Sequence, residues 1–212
     1  MFFITGTDTG VGKTHASALL LRHLKSEGFR YWKPVQTGDD DDRATVQSLT
    51  GLDETYFVPT GWSFTEPLSP HRASELEERQ DEITVARLFA RLQRHKIEGP
   101  LLVEGAGGLL VPLHRGLRET WLDFLMATGL PVVIVARTAL GTINHSLLTV
   151  QALRAAEIPI AGLLFCGEEN EDNRRTIREF SGADDLGRFY LNDGRDIGAA
   201  TVDLTPLLRM LS

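Results

Sequence analysis

The chain has 212 residues, 42% of them hydrophobic and 24% charged, with a formal net charge of −7 and one cysteine, Cys166. These values suit a soluble globular chain of one ordinary domain. The acidic balance argues against a nucleic-acid or anionic-membrane surface, which needs clustered Lys and Arg. The lone cysteine excludes an internal disulfide or a thiolate metal cage, and no apolar run approaches the roughly 18 residues of a membrane span.

Phe2-Phe3-Ile4 reads as a first strand, with no basic region or cleavage-type segment before it, so a signal peptide is not expected and a cytoplasmic setting is. Gly6-Thr7-Asp8-Thr9-Gly10-Val11-Gly12-Lys13-Thr14 follows, and then an amphipathic run, Ala16, Leu19, Leu20, His23 and Leu24, stopped by Gly28. Strand, glycine-rich turn and helix together are the context of a phosphate-binding loop. Glycines let successive backbone N–H groups from Thr7 to Gly12 converge on phosphate oxygens, and the helix N-terminus adds partial positive charge. Lys13 is expected against the β/γ-phosphates and the Thr14 hydroxyl on Mg²⁺. Gly6 lies one residue further from Lys13 than in the common form of the motif, so the loop is longer at its start. A purely structural turn is the alternative.

Phe29 to Trp32 reads as a second strand, with Lys33 held extended by Pro34. Thr37-Gly38 opens a loop, Asp39 to Asp42 is an acidic run, and Ala44, Val46 and Leu49 predict a short helix. From Leu52 to Pro70 the chain is rich in turn formers and is expected to be an ordered surface excursion. Ile83 to Leu92 has helical periodicity. Leu101-Leu102-Val103 reads as a buried strand delivering Glu104 into Gly105-Ala106-Gly107-Gly108, Trp121 to Met126 as a helix, and Pro131 to Ala136 as a central parallel strand. Gly141 precedes a helix through Leu147 to Leu153, Ile160 to Phe165 is a strand, and Arg174–Phe180 and Val202–Leu211 are expected to be helical. The alternation predicts one α/β domain over residues 1–212, a mostly parallel sheet flanked by helices, of P-loop NTPase type.

In such sheets ligands lie beyond the carboxyl ends of the strands, where four clusters fall: the loop, Lys33 to Gly38, Glu104 to Gly108, and Leu140 to His145. A carboxylate leaving an apolar strand needs a cation or metal partner, so Glu104 either completes a Mg²⁺ shell with Thr14 or sits in a structural ion pair. Any of Asp39 to Asp42 could join it, or the run could be a solvated loop. Lys33 either stabilises charge on an acceptor or transferring phosphoryl group, or is an ordinary surface lysine. The six histidines show no metal-ligand spacing, and Cys166 reads as a small buried hydrophobe.

Taken together with Lys-Pro-Val-Gln-Thr-Gly at 33–38, Glu-Pro-Leu-Ser-Pro-His at 66–71, Glu-Gly-Ala-Gly-Gly at 104–108 and Leu-Gly-Thr-Ile-Asn-His at 140–145, the loop resembles the dethiobiotin synthetase family over about three-quarters of the chain. That resemblance implies an ATP- and Mg²⁺-dependent ligase of biotin biosynthesis. Its members close the ureido ring of dethiobiotin from 7,8-diaminopelargonic acid and CO₂, through a carbamate and a carbamic-phosphoric anhydride. It further implies catalytic roles for Lys33, Lys13 and Thr9, metal contacts from Thr14, Asp42 and Glu104, and Lys33 and Thr37 on the carbamate, with backbone near Gly107. Asp42, followed five residues later by Gln47, matches the register of the family's metal-binding Asp. The family forms homodimers, with the substrate tail carboxylate near Gly141, Thr142 and Asn144; otherwise these residues are a plain helix N-terminus capped by Thr142.

Two departures bear on the base. Phe165-Cys166-Gly167 stands where the family has an adenine-reading Asn, and Leu186 to Leu191 lacks the Pro common in its base-binding loop. Competing readings are a ParA/MinD-like switch ATPase, which would carry a second lysine early in the loop, and an ATP-dependent ligase with another acceptor.

Overall fold

The apolar run Phe2–Gly6 forms β1, fully buried inside a seven-stranded sheet in the computed structural model, which describes residues 1–192 and 196–211. The chain continues through α1 (Lys13–Leu24), β2 (Arg30–Trp32), β3 (Val35–Thr37), α2 (Asp42–Thr50), β4 (Trp62–Phe64), α3 (Pro70–Leu76), α4 (Val85–His95) and β5 (Leu101–Gly108). It ends with β6 (Pro112–His114), β7 (Glu119–Thr120), α5 (Trp121–Thr128), β8 (Val132–Arg137), α6 (Thr142–Ala155), β9 (Ile160–Cys166), α7 (Glu171–Ser181), β10 (Asp185–Asn192), β11 (Asp196–Val202) and α8 (Thr205–Arg209). The sheet order is β11-β10-β9-β8-β1-β5-β2, parallel except where β11 runs against β10.

This order fixes where a ligand can lie. From β1 the chain crosses through α1 to β2, beyond β5, whereas from β5 it returns past β1 to β8. The reversal leaves a crevice at the carboxyl ends of β1 and β5, into which the phosphate-type loop and Glu104 both emerge. Layers of helices close the two faces. In β8, Val132, Ile134 and Ala136 join one apolar core with Leu88, Trp121 and Phe124, while Val133 and Val135 join the other with Leu20 and Leu24 of α1. Each such aliphatic side chain contributes roughly 1.5–3 kcal/mol on burial, which is why β8 reads as an unbroken β-branched run.

The expected surface excursion at 52–70 needs correcting. Its aromatics are core: Trp62 is 7% and Phe64 2% exposed. They lie on β4, which pairs in parallel with β3 as a separate two-stranded sheet, and the Arg91 and Arg79 guanidinia cover the two rings at 4.0 and 4.8 Å. Ser69-Pro70 then starts α3, with proline in its first turn. The helix expected over 202–211 is confined to Thr205–Arg209, since residues 196–202 form the antiparallel edge strand β11. Leu186 to Leu191 belongs to β10 rather than to a loop.

The β3–β4 pair matters because it holds the chain on either side of Lys33. Gly61 N–H donates to Lys33 O at 3.1 Å and Trp62 N–H to Pro34 O at 2.9 Å. A Cβ at Gly61 would stand 2.3 Å from Pro34 O. Gly61→Ala is therefore expected to destabilise the protein by about 1–3 kcal/mol through a forced backbone shift, read as a drop in Tm of roughly 2–4 °C per kcal/mol.

Candidate active site

One cavity of about 530 Å³ is lined by Thr9, Gly10, Gly12, Lys13 and Thr14 of the loop together with Lys33, Thr37, Asp42, Glu104 and Gly107. The expected phosphate, metal and acceptor residues are thus brought to one place from four strand ends. Gly10 and Gly12 have φ of +67° and +96°, a backbone that glycine adopts without strain. No side chain caps α1, so the amides of its first turn have no intrahelical acceptor and can take phosphate oxygens. The Asp8 carboxylate accepts from Thr9 N–H at 2.7 Å, and the Arg137 guanidinium donates to Thr9 O at 2.9 Å, pinning the turn from both sides. The Val11 side chain is 1% exposed and packs in the core, and with Thr7 and Asp8 it borders a small neighbouring cavity.

Lys13 is 8% exposed, and among the described residues its ammonium finds one hydrogen-bond acceptor, Asp8 O at 3.4 Å. Burial pulls its pKa below the ordinary 10.5; Glu104 and Asp42 oppose that, and Lys33 adds to it. Lys33 is better compensated. At 3% exposure it cannot be a surface lysine, and it reaches Asp42 Oδ2 at 2.5 Å, Glu104 Oε1 at 2.9 Å and Gly105 O at 3.3 Å. Burial disfavours its charge, but Glu104 and Asp42 outweigh burial and its pKa rises above 10.5. For Asp42 burial would raise the pKa, and Lys33 reverses the sign, holding it below 3.8.

The acidic run resolves by position. Asp39, Asp40 and Asp41 are exposed, and Asp41 caps α2 through Ala44 N–H; Asp40 and Asp42 both line the cavity, and Asp42 is the one that reaches Lys33 and the Thr14 hydroxyl. The Thr14 hydroxyl lies 2.8 Å from Asp42 Oδ1 and 3.2 Å from Glu104 Oε1. Glu104, 0% exposed, is therefore in the ion pair expected of a strand-end carboxylate and also beside the Thr14 hydroxyl. Two carboxylates and a hydroxyl in a phosphate-facing cavity are the oxygen-only donor set that Mg²⁺ takes, its remaining positions going to phosphate and water.

The residues expected to hold substrate divide. Thr37 and Gly107 line the main cavity, and Trp121 Nε1 donates to Ala106 O at 2.9 Å, fixing the glycine turn. Gly141 and Thr142 line a separate cavity of about 80 Å³ with Thr7, Asp8 and His145. Asn144 is exposed. Thr142 does not cap α6: Gly141 is the N-cap residue, and the Thr142 hydroxyl donates back to Arg137 O at 2.5 Å. Sequence reasoning missed Ser17, Tyr31, Arg137 and Leu191. A signal was present for two of them, since Ser17 lies one helical turn after Lys13 and Tyr31 shares a strand face with Lys33.

Cys166 packs against the loop, where a Cβ on Gly12 would come 2.8 Å from its Sγ. It is only partly buried, and burial raises its pKa to about 11, Arg137 opposing. At pH 8 roughly a thousandth of the thiol is thiolate. Alkylation by iodoacetamide should accordingly be slow at neutral pH and speed up about tenfold per pH unit toward 11, measured by mass at quenched time points.

A family model described as an AAA domain matches residues 1–193. The chain is 48% identical over 188 residues to the ATP-dependent dethiobiotin synthetase BioD of Rhodopseudomonas palustris (strain BisB5), covering 88% of this chain and 84% of the relative. It is 44% identical over 200 residues to the protein of the same name from Leptospira interrogans, covering 92% and 88%. Among solved structures, the cell division ATPase MinD of Pyrococcus furiosus matches with a TM-score of 0.57 over 92% of this chain and 86% of that one, at 14% identity, a likeness of fold alone.

Proposed function

This chain belongs to the ATP-dependent dethiobiotin synthetase family and is an ATP-dependent ligase that makes dethiobiotin; on that premise we propose how its residues divide the work. The observation that carries the proposal is that Lys13 and Lys33, one on the phosphate loop and one among the acceptor residues, share a single cavity with Asp42 and Glu104.

The substrates proposed are 7,8-diaminopelargonic acid, CO₂ and ATP. A neutral amine of the diamine adds to CO₂ and loses a proton, giving a carbamate. Lys33 and Thr37, with backbone N–H groups near Gly107, hold its oxygens. A carbamate oxygen attacks the γ-phosphorus and the bond to ADP breaks, while Lys13 and the loop amides, fixed through Thr9 and Asp8, hold the transferred charge. The second amine then attacks the carbonyl carbon of the mixed anhydride, phosphate leaves, and the ring closes. No protein nucleophile is used; positioning supplies the acceleration. Thr14, Asp42 and Glu104 would hold Mg²⁺, which when bound neutralises charge on the phosphate oxygens.

The tail carboxylate is assigned to Gly141, Thr142 and Asn144 in a homodimer. Two features support this. Asn144 is exposed and outside the lining of the main cavity, which leaves it free to face a second copy. Beside it runs an apolar groove with Leu109, Leu110, Val111, Leu148 and Ala152, of which Leu110 and Leu148 are 60% and 55% exposed. We further take residues 1–212 as one functional domain in a cytoplasmic setting.

The test is nucleoside diphosphate release with Mg²⁺ and bicarbonate, with and without the diamine, across ATP, CTP, GTP and UTP, with the product identified by mass. Release that requires the diamine and yields dethiobiotin is the expected result. Similar rates across the bases would follow from Cys166 standing where the family has its adenine-reading Asn. Release indifferent to the diamine would overturn the acceptor assignment.

A further inference from the structure

Glu104 holds four partners in a divided pattern. Its Oε1 meets Lys33 Nζ at 2.9 Å and Thr14 Oγ1 at 3.2 Å, and both partners line the main cavity. Its Oε2 meets Ser17 Oγ at 2.6 Å and Tyr31 OH at 3.0 Å, and both of these are 0% exposed and outside the cavity lining. We propose that Tyr31 and Ser17 are positioning residues that grip Glu104 by Oε2 and so commit Oε1 to a divalent cation in the nucleotide site.

This rests on the reading of Glu104 as a metal ligand and deepens it. The torsion that turns a Glu carboxylate is broad and roughly two-fold, so an ungripped Glu104 could present either oxygen, or both. Mg²⁺ tolerates little of that, because it demands near-octahedral geometry and few carboxylates. Both donors are held rigidly. Ser17 sits on α1, one turn after Lys13, whose carbonyl lies 2.9 Å from its hydroxyl. Tyr31 sits on β2, paired with β5 beside Leu102, and Phe57 meets its ring edge-on at a centroid distance of 6.2 Å. The Tyr31 hydroxyl is the donor in its contact with Oε2, so it fixes that oxygen and leaves the carboxylate charge to the cation.

Partners behind a metal ligand are commonly worth roughly 10–100-fold in metal affinity. The test titrates Mg²⁺ into full-length protein with a non-hydrolysable ATP analogue, by calorimetry well below Tm, for Tyr31→Phe, Ser17→Ala and Glu104→Gln. Each positioning variant should weaken Mg²⁺ binding by roughly tenfold and leave analogue binding in EDTA unchanged, an effect that loss of stability alone would not produce. Circular dichroism confirms that each is folded, and the two substitutions, at different elements, give independent readings. If Glu104→Gln weakens Mg²⁺ while both other variants stay within about twofold of wild type, the positioning role is overturned and the metal reading stands. If Glu104→Gln has no effect, both fall together.

Discussion

Lys33→Gln is expected to lower diamine-dependent turnover by on the order of 10²–10³-fold, the usual cost of removing a donor aimed at developing charge, while the nucleotide analogue still binds. A second effect of opposite sign accompanies it. The Lys33 ammonium lies against both carboxylates assigned to the metal, at 2.5 Å from Asp42 and 2.9 Å from Glu104. On the proposed assignment it would compete with the cation for those carboxylates as well as act on the carbamate. Removing it leaves two largely buried carboxylates without their cation, a loss of about 3–5 kcal/mol for a broken buried pair. Mg²⁺ should now stabilise the nucleotide-free variant in a thermal melt more than it stabilises wild type.

The pH dependence of that loss follows from the two shifts. Lys33 has its folded pKa raised, so its contribution is complete below 10.5 and disappears as pH rises through the folded value. Asp42 has its folded pKa lowered, so its contribution is present above 3.8 and disappears as pH falls through the folded value. The stability gap between wild type and Lys33→Gln should be widest near neutrality and should narrow in acid. A variant with unchanged turnover would remove Lys33 from the mechanism, whatever its stability.

How much of this could be read from the chain depends on how local each interaction is. The phosphate loop is contiguous, and strand, glycines and helix all point to the same chemistry, so Gly6 to Thr14 is legible without any tertiary information. Glu104 is legible because a carboxylate at the end of an apolar strand has few uses. Asp42 required a register argument, since nothing in four consecutive aspartates says which one meets Thr14 and Lys33; the structure separates them by letting Asp41 cap α2 and Asp42 reach both partners. Tyr31 and Ser17 could not be assigned a partner, because Glu104 is 73 and 87 residues away along the chain. The β10–β11 edge was equally hidden. It depends on close backbone approach, in which a Cβ on Gly187 would stand 2.0 Å from Thr201 O, while Leu207, Leu208 and Leu211 suggest a longer helix than the five residues of α8. Trp62 and Phe64 lie among turn formers, and only their pairing with β3 makes them core.

Lys13→Met should separate binding from stability in the opposite way to Lys33→Gln. The Lys13 pKa is lowered in the folded protein, so the unfolded chain holds that proton more readily, and the charged group costs stability at neutral pH. Its one hydrogen-bond acceptor among the described residues, Asp8 O at 3.4 Å, does little to offset its burial. A methionine of similar length removes the poorly compensated charge, so the ligand-free variant should melt at or above the wild-type temperature. Nucleotide reverses the comparison. Phosphate oxygens give the Lys13 ammonium the partners it lacks, and saturating Mg·nucleotide at about 100 times Kd should stabilise wild type by roughly 2.7 kcal/mol. That increment should vanish in Lys13→Met, together with turnover. Scanning calorimetry with and without the non-hydrolysable analogue reads both effects in one experiment. A ligand-free Tm well below wild type would mean that Lys13 is held by the protein rather than waiting for phosphate, and would remove it from the transfer step as described.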